Sequence, residues 1–298
     1  MKFSFEGGQK EGSEKLSNTE IIYGDILERV KKISVVSEKE NKDWPIEELQ
    51  NRLEGIFKEV GEKALLENQG KIYTTLSGGL DSTLALAFLR KNFPNEKIIT
   101  FTLGGDEKHP DIRFARLAAE KFAAENNQII PTPNELNEAL AEYKQIFPGR
   151  DLKEAVAAGN FDVYLLYKNI KRLNPKSIIV HDGIDELMGG YWDHRKESSV
   201  EERKKCFNEY WQKLIPEHLN PLIQTTQHFK IKLHFPYLEE KLIKFISEIP
   251  IEDRVVEGVG KKPLRDIAAL MEVPKEIIDR PKRGQVGMTE IEDLRKRL

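Results

Sequence analysis

The chain has 298 residues, of which 39% are hydrophobic and 33% charged, so it can bury a substantial core and is not a disordered tail. Lys and Arg number 47 against 50 Asp and Glu, a formal charge of −3 that argues against a nucleic-acid partner. A single cysteine, Cys206, rules out an intrachain disulfide and a cysteine-built metal cage, and no run approaches the ~18 apolar residues that span a bilayer. A soluble, cytoplasmic protein with no membrane partner is expected.

Residues 1–43 are polar and broken by Gly7-Gly8 and Gly12, and they form a small first unit ahead of the main domain at 44–298. Short apolar runs at Phe3–Phe5, Ile21–Tyr23 and Ile33–Val36 predict a few strands there. From Trp44-Pro45 the pattern becomes helical, with Ile46, Leu49, Leu53, Ile56, Val60 and Ala64 recurring at spacings of three and four. The run Lys71–Leu76 reads as a strand and Thr83–Leu89 as the start of a helix. Further strands are predicted at Lys97–Leu103, Gln128–Ile130 and Ser177–His181. They alternate with helices over Asp111–Asn126, Asn134–Ile146 and Phe161–Leu173. That alternation predicts an α/β fold, a doubly wound parallel sheet whose ligands bind at the carboxyl ends of the strands. Beyond residue 198 the pattern is helical, with Ser199–Ile215, Glu239–Ile249, Lys262–Met271 and Thr289–Arg297 as candidates.

The segment Ser77-Gly78-Gly79-Leu80-Asp81-Ser82-Thr83 joins the first strand to its helix. Two glycines let the backbone turn sharply, and the helix start adds its positive dipole end to the three hydroxyls. Such a cradle fits a phosphate-sized anion. No lysine follows the glycines, so it is not the common G-x-x-x-x-G-K-[ST] loop. A second cluster, His181-Asp182-Gly183-Ile184-Asp185-Glu186, packs three carboxylates directly after a strand. Carboxylates so close repel one another unless a cation neutralises them, and magnesium suits that role.

The first segment resembles the SGGxDS signature of the ATP pyrophosphatase (PP-loop) superfamily. The run 181–191 resembles the G-E-G-S-D-E-[LV]-F-G-G-Y motif of asparagine synthetases, with Asp182 at the glutamate and Gly189-Gly190-Tyr191 matching. Their R-x-P-F-L-D element is similar to His234-Phe235-Pro236-Tyr237-Leu238-Glu239, and their K-x-x-L-R helix start to Lys261–Arg265. Their N-R-P-K-x-G turn is similar to Asp279–Gly284, and their F-x-x-G strand to Phe101–Gly104. The likeness covers about residues 45–290.

The resemblance implies an adenine nucleotide alpha hydrolase-like fold with a helical C-terminal region. It implies an ATP-dependent, AMP-forming amide ligase that adenylates a carboxylate and passes ammonia or an amine to it. ATP and pyrophosphate would be held by Ser77, Gly78, Gly79, Asp81, Ser82, Thr83, Leu103, Gly104 and Lys282. Magnesium would be held by Asp81 and Asp185, and Lys261 and Asp182 would act in catalysis. Gly183, Glu186 and His234 would meet the acceptor, with aspartate as one candidate. The family's glutaminase domain has no counterpart in residues 1–43, so the expected nitrogen source is ammonia, an amine, or glutamine processed on a partner chain; a homodimer is also compatible. Departures from the family pattern bear on the acceptor: Asp182 is one methylene shorter than the glutamate, Ile184 replaces a small hydroxyl residue with His181 replacing a glycine nearby, and His234 stands for an arginine whose planar fork a histidine does not reproduce. Two other readings remain at this stage. One is a PP-loop enzyme that modifies RNA or transfers sulfur, which the lack of cysteine pairs and basic patches disfavours; the other is a non-catalytic nucleotide-binding relative.

Overall fold

The computed structural model describes residues 13–196 and 199–281, with side chains from residue 23 onward. Helix α1 (Ser13–Lys32) and helix α2 (Ile46–Glu67) precede strand β1 (Lys71–Thr75). Helix α3 (Leu80–Asn92), β2 (Lys97–Leu103), α4 (Pro110–Lys121) and β3 (Glu125–Ile129) follow. Three helices, α5 (Pro133–Ile146), α6 (Leu152–Ala157) and α7 (Asn160–Ile170), then lead back to β4 (Ser177–Ile179).

The C-terminal region opens with α8 (Ile184–Met188), α9 (Trp192–Lys196) and α10 (Val200–Lys213). A π-helical turn, Leu214–Leu219, joins α10 to α11 (Asn220–His228). Strand β5 (Lys232–His234), α12 (Glu240–Glu248) and α13 (Ile251–Arg254) come next. A two-stranded hairpin, β6 (Val255–Val256) with β7 (Val259–Gly260), carries the chain into α14 (Lys262–Leu270) and α15 (Lys275–Ile278).

The five main strands pair in the order β3-β2-β1-β4-β5, all parallel. The expected doubly wound sheet is therefore present. Its switch point lies between β1 and β4, where the chain leaves in opposite directions and opens a crevice at the carboxyl edge. The core follows from sequence pattern. In α2 the buried stripe is Leu49, Leu53, Ile56, Phe57, Val60 and Ala64, one helical face. In α3 every residue from Ser82 to Leu89 is buried, so this helix runs through the interior. A smaller core of Tyr143, Phe161 and Tyr164 joins α5 to α7.

Several predicted elements differ. Ile21–Tyr23 is helical, because Tyr23, Ile26, Leu27 and Val30 continue at helical spacing, and Tyr23 and Val30 are buried in the main core. Ile33–Val36 forms no strand, and Phe3–Phe5 lies outside the described residues. Helix α4 ends at Lys121, after which Ala123 takes a left-handed turn and Asn126 enters β3. Strand β5 and the β6–β7 hairpin lie in the stretch expected to be helical; β5 has only three residues, too short for its alternation to show. The helix predicted at Thr289–Arg297 is outside the described residues.

One buried side chain ties these layers together. Arg254 is fully buried and donates to the carbonyls of Ile249, Ser247, Val35 and Leu187. Burial depresses its guanidinium to about 9, still charged at neutral pH, and the carbonyls of three chain segments solvate it. Arg254→Ala strands those carbonyls and is expected to lower unfolding free energy by at least about 3 kcal/mol in urea titrations.

Candidate active site

The loop after β1 is ordered by its own side chains. The Ser82 hydroxyl accepts from the Ser77 amide at 3.2 Å and donates to the Gly79 carbonyl at 3.3 Å, and Ser77 Oγ accepts from the Gly79 amide at 3.3 Å. Gly78 has φ +65°, and a Cβ there would lie 2.3 Å from the Ala115 amide nitrogen, so only glycine lets α4 pack against the turn. The loop delivers the chain into α3 with Gly79 at the N-cap, which aims the positive helix end at the crevice.

The turn after β4 is equally constrained. Gly183 has φ +93°, and its missing Cβ leaves room for the Leu238 side chain. Short helix α8 then presents Asp185 and buried Glu186, which accepts a 2.7 Å hydrogen bond from the Tyr191 hydroxyl. Burial raises the carboxyl of Asp182 to about 6, with Glu186 and Asp185 adding to the rise and His218 opposing it.

Lys261 joins the two turns. Its backbone amide donates to the Met188 carbonyl at 2.8 Å and its φ is +59°, a left-handed conformation uncommon for a side chain of this size. The side chain, 7% exposed, places Nζ 2.5 Å from Asp81 Oδ2 and 2.6 Å from Asp185 Oδ1. Burial alone would depress this ammonium, but Asp185 and Asp81 outweigh it and hold the group charged, above its ordinary value. A Cβ on Gly190 would lie 1.7 Å from Asp185 Oδ1 and 2.5 Å from Lys261 Cε, so the ion cluster needs glycine beside it.

These groups surround a cleft of about 390 Å³ at the switch point. Of the sequence-predicted residues, Ser77, Gly79, Asp81, Ser82, Asp182, Gly183, Asp185, Glu186 and Lys261 line it. Gly78, Thr83, Leu103 and Gly104 stand behind the wall: Gly78 and Gly104 pack on α4, Thr83 is buried in α3, and Leu103 faces the smaller core. Lys282 lies outside the described residues. His234 is not brought to the cleft. It ends β5 with its imidazole 2.7 Å from Glu67, which also takes a 2.6 Å bond from Lys232. Burial depresses the imidazole of His234, with Glu67 partly offsetting it.

Among the cleft residues that the site set lacks are Arg195, His218 and Arg265, and Arg280, which the sequence offers as a late phosphate contact or an ordinary basic turn, lines the cleft too. Arg265 and Arg280 stood inside motifs already recognised, whereas nothing in the local pattern marks Arg195 or His218. Arg280 donates to the Ser77 carbonyl at 3.0 Å, pairs with Asp111 and lies over the Phe114 ring, so it pins the loop from behind. The proline element contributes support rather than a contact: Tyr237 donates from its hydroxyl to the Asp81 carbonyl at 3.0 Å.

The carboxylates of Asp81 and Asp185 converge on one cation, a donor set that suits magnesium carried in on phosphates. Among the described residues, no group of three or more His, Cys, Asp or Glu side chains could hold a metal unaided, and no helix is long and apolar enough to cross a membrane.

A parallel sheet with a serine- and glycine-rich loop at its switch point, facing an acidic turn, defines an α/β nucleotide-site protein of the PP-loop type. The family model for asparagine synthase matches residues 62–221 and 212–298, and the chain belongs to that family. It is 28% identical over 259 residues to a glutamine-hydrolysing asparagine synthetase of Pongo abelii, covering 84% of this chain and 45% of that protein. The Homo sapiens protein of the same description matches equally, at 28% over 259 residues. The chain thus spans somewhat under half the length of these curated relatives. Among solved structures, NMN synthetase from Francisella tularensis aligns with a TM-score of 0.43 at 17% identity, over 85% of this chain and 86% of that one. A U34-tRNA thiolase from Methanococcus maripaludis aligns with a TM-score of 0.41 at 11% identity, over 85% and 81%.

Two outcomes follow from this geometry. Gly190→Ala forces Lys261 and Asp185 apart and is expected to lower the melting temperature and weaken nucleotide binding together, read by calorimetry. Burial opposes ionisation of Glu67, yet hydrogen bonds from Lys232, Ser177 and His234 hold its carboxyl down at about 2. A folded-state pKa below the unfolded value gives stability that is complete above about pH 4.5 and lost as pH falls towards 2. Acid titration of unfolding should show this loss in the wild type and a smaller one in Glu67→Gln.

Proposed function

We propose that this protein is an ATP-dependent, AMP-forming amide ligase. It joins ammonia or an amine to a small carboxylic acid, aspartate being one candidate, in a cytoplasmic setting. The observation that carries the reading is Lys261, a buried ammonium shared between the loop that would grip pyrophosphate and the acidic turn that would receive the acceptor. Family membership and the likeness to asparagine synthetases support it.

In the first step an acceptor carboxylate oxygen attacks the α-phosphorus and the bond to pyrophosphate breaks. Ser77, Gly79, Ser82 and the start of α3 hold the departing diphosphate, and Lys261 and Arg265 offset the charge that develops. Asp81, Asp185 and Lys261 sum to one negative charge before any phosphate arrives, so the site favours a nucleotide that brings its own cation. Magnesium, when bound, would be held by Asp81 and Asp185 and would neutralise pyrophosphate. In the second step an amine attacks the acyl carbon and the bond to AMP breaks. Asp182, its carboxyl raised to about 6, is ionised at neutral pH yet basic enough to take the amine's proton. His234 lies away from the cleft, so in this reading the acceptor's carboxylate is met by Arg195 or His218, which line it.

The test is pyrophosphate release from ATP and magnesium with L-aspartate plus ammonium, and with other small carboxylic acids. Asp185→Ala should abolish release. Lys261→Met should lower kcat by about 10²–10³ with a smaller change in KM for ATP, as expected for a group that acts on developing charge. Release in the wild type with every acid absent, or full turnover in Asp185→Ala, counts against the reading.

A further inference from the structure

The cleft lining combines charged groups, among them Asp182, Glu186 and Arg195, with the less polar Thr75, Leu76, Phe101 and His181. His181 follows β4 at the switch point, and its ring reaches across the crevice to β1. Nε2 is 3.2 Å from Thr74 Oγ1 and Nδ1 is 3.4 Å from Thr75 Oγ1, so both ring nitrogens are engaged and the plane is fixed. The Tyr237 ring backs it at 6.3 Å between centroids. Thr75 lies two residues before Ser77, so this ring adjoins the start of the diphosphate loop. A glycine here, as in the motif that the turn resembles, would leave the crevice between β1 and β4 open.

We propose that His181 is a nucleoside-recognition residue, its imidazole flooring the β1–β4 crevice and packing against the sugar and base of the nucleotide whose phosphates the Ser77–Ser82 loop holds. The inference rests on the nucleotide reading above and names the side chain that sets affinity for the nucleoside half. Burial holds the ring neutral, down at about 3, so it offers a flat polarisable surface rather than a charge. The acceptor must approach in line with the departing pyrophosphate and needs cations. Cations line this cleft, and Leu76 and Phe101 beside His181 give it the apolar surface that a base needs.

Calorimetric titrations of the full chain with AMP and, separately, with inorganic pyrophosphate test this. His181→Gly should weaken AMP about tenfold, the size of one lost stacking contact, and leave pyrophosphate affinity unchanged. His181→Gln keeps a donor and an acceptor for Thr74 and Thr75 but removes the ring, and should show the same selective loss. AMP affinity that is unchanged or improved, equal weakening of both ligands, or full AMP affinity in His181→Gln overturns the proposal. A wild-type chain that binds neither ligand overturns the nucleotide reading itself, and this inference with it.

Discussion

The ion cluster of Lys261 with Asp81 and Asp185 is the constraint on which the site depends. Two carboxylates within 2.6 Å of one ammonium would be costly to bury if any member were missing, because an uncompensated charge in a water-poor crevice loses several kcal/mol of solvation. The cluster therefore fixes three chain segments relative to one another: the start of α3, the start of α8 and the entry to α14. Neighbouring backbone is shaped to allow it. Gly190 yields the volume of its side chain, and Lys261 adopts a left-handed turn that its amide bond to Met188 holds in place.

Around that point the fold supplies a division of labour. Strands β1 and β4 are neighbours in space yet far apart in sequence, so the Ser77–Ser82 loop and the acidic turn face each other across a crevice that neither could form alone. The outer motifs act from behind. Tyr237 grips the Asp81 carbonyl, Leu238 fills the space that Gly183 vacates, and Arg280 anchors the Ser77 carbonyl. The polar groups of the cleft are thus held by neighbours in other elements, which is how a site keeps its geometry before a substrate arrives.

Much of this was legible in the sequence because the relevant signals are local. Strand β2 was predicted with its observed bounds, since a run of apolar residues bounded by a turn is unambiguous. The loop at 77–83 and the acidic run at 181–191 were readable because each motif is contiguous. What failed was non-local. Whether His234 points into the cleft or back to Glu67 depends on a carboxylate 167 residues earlier, which no spacing rule reveals. Arg195 and His218 reach the cleft only because α9 and the π-helical turn are folded over it. Strand β5 owes its conformation to pairing with β4 rather than to its own three residues.

The clasp made by Arg254 carries an implication for how the chain is made. Synthesis releases Val35 and Leu187 well before Arg254, and Asp81 some 180 residues before Lys261. On the ribosome β1, β2 and β3 can pair in order of emergence, whereas β4 must return to β1 and the crevice between them stays unlatched until Lys261 appears. The nascent protein is thus kept from presenting a finished nucleotide cradle while it is still tethered, and competence is among the final properties it acquires.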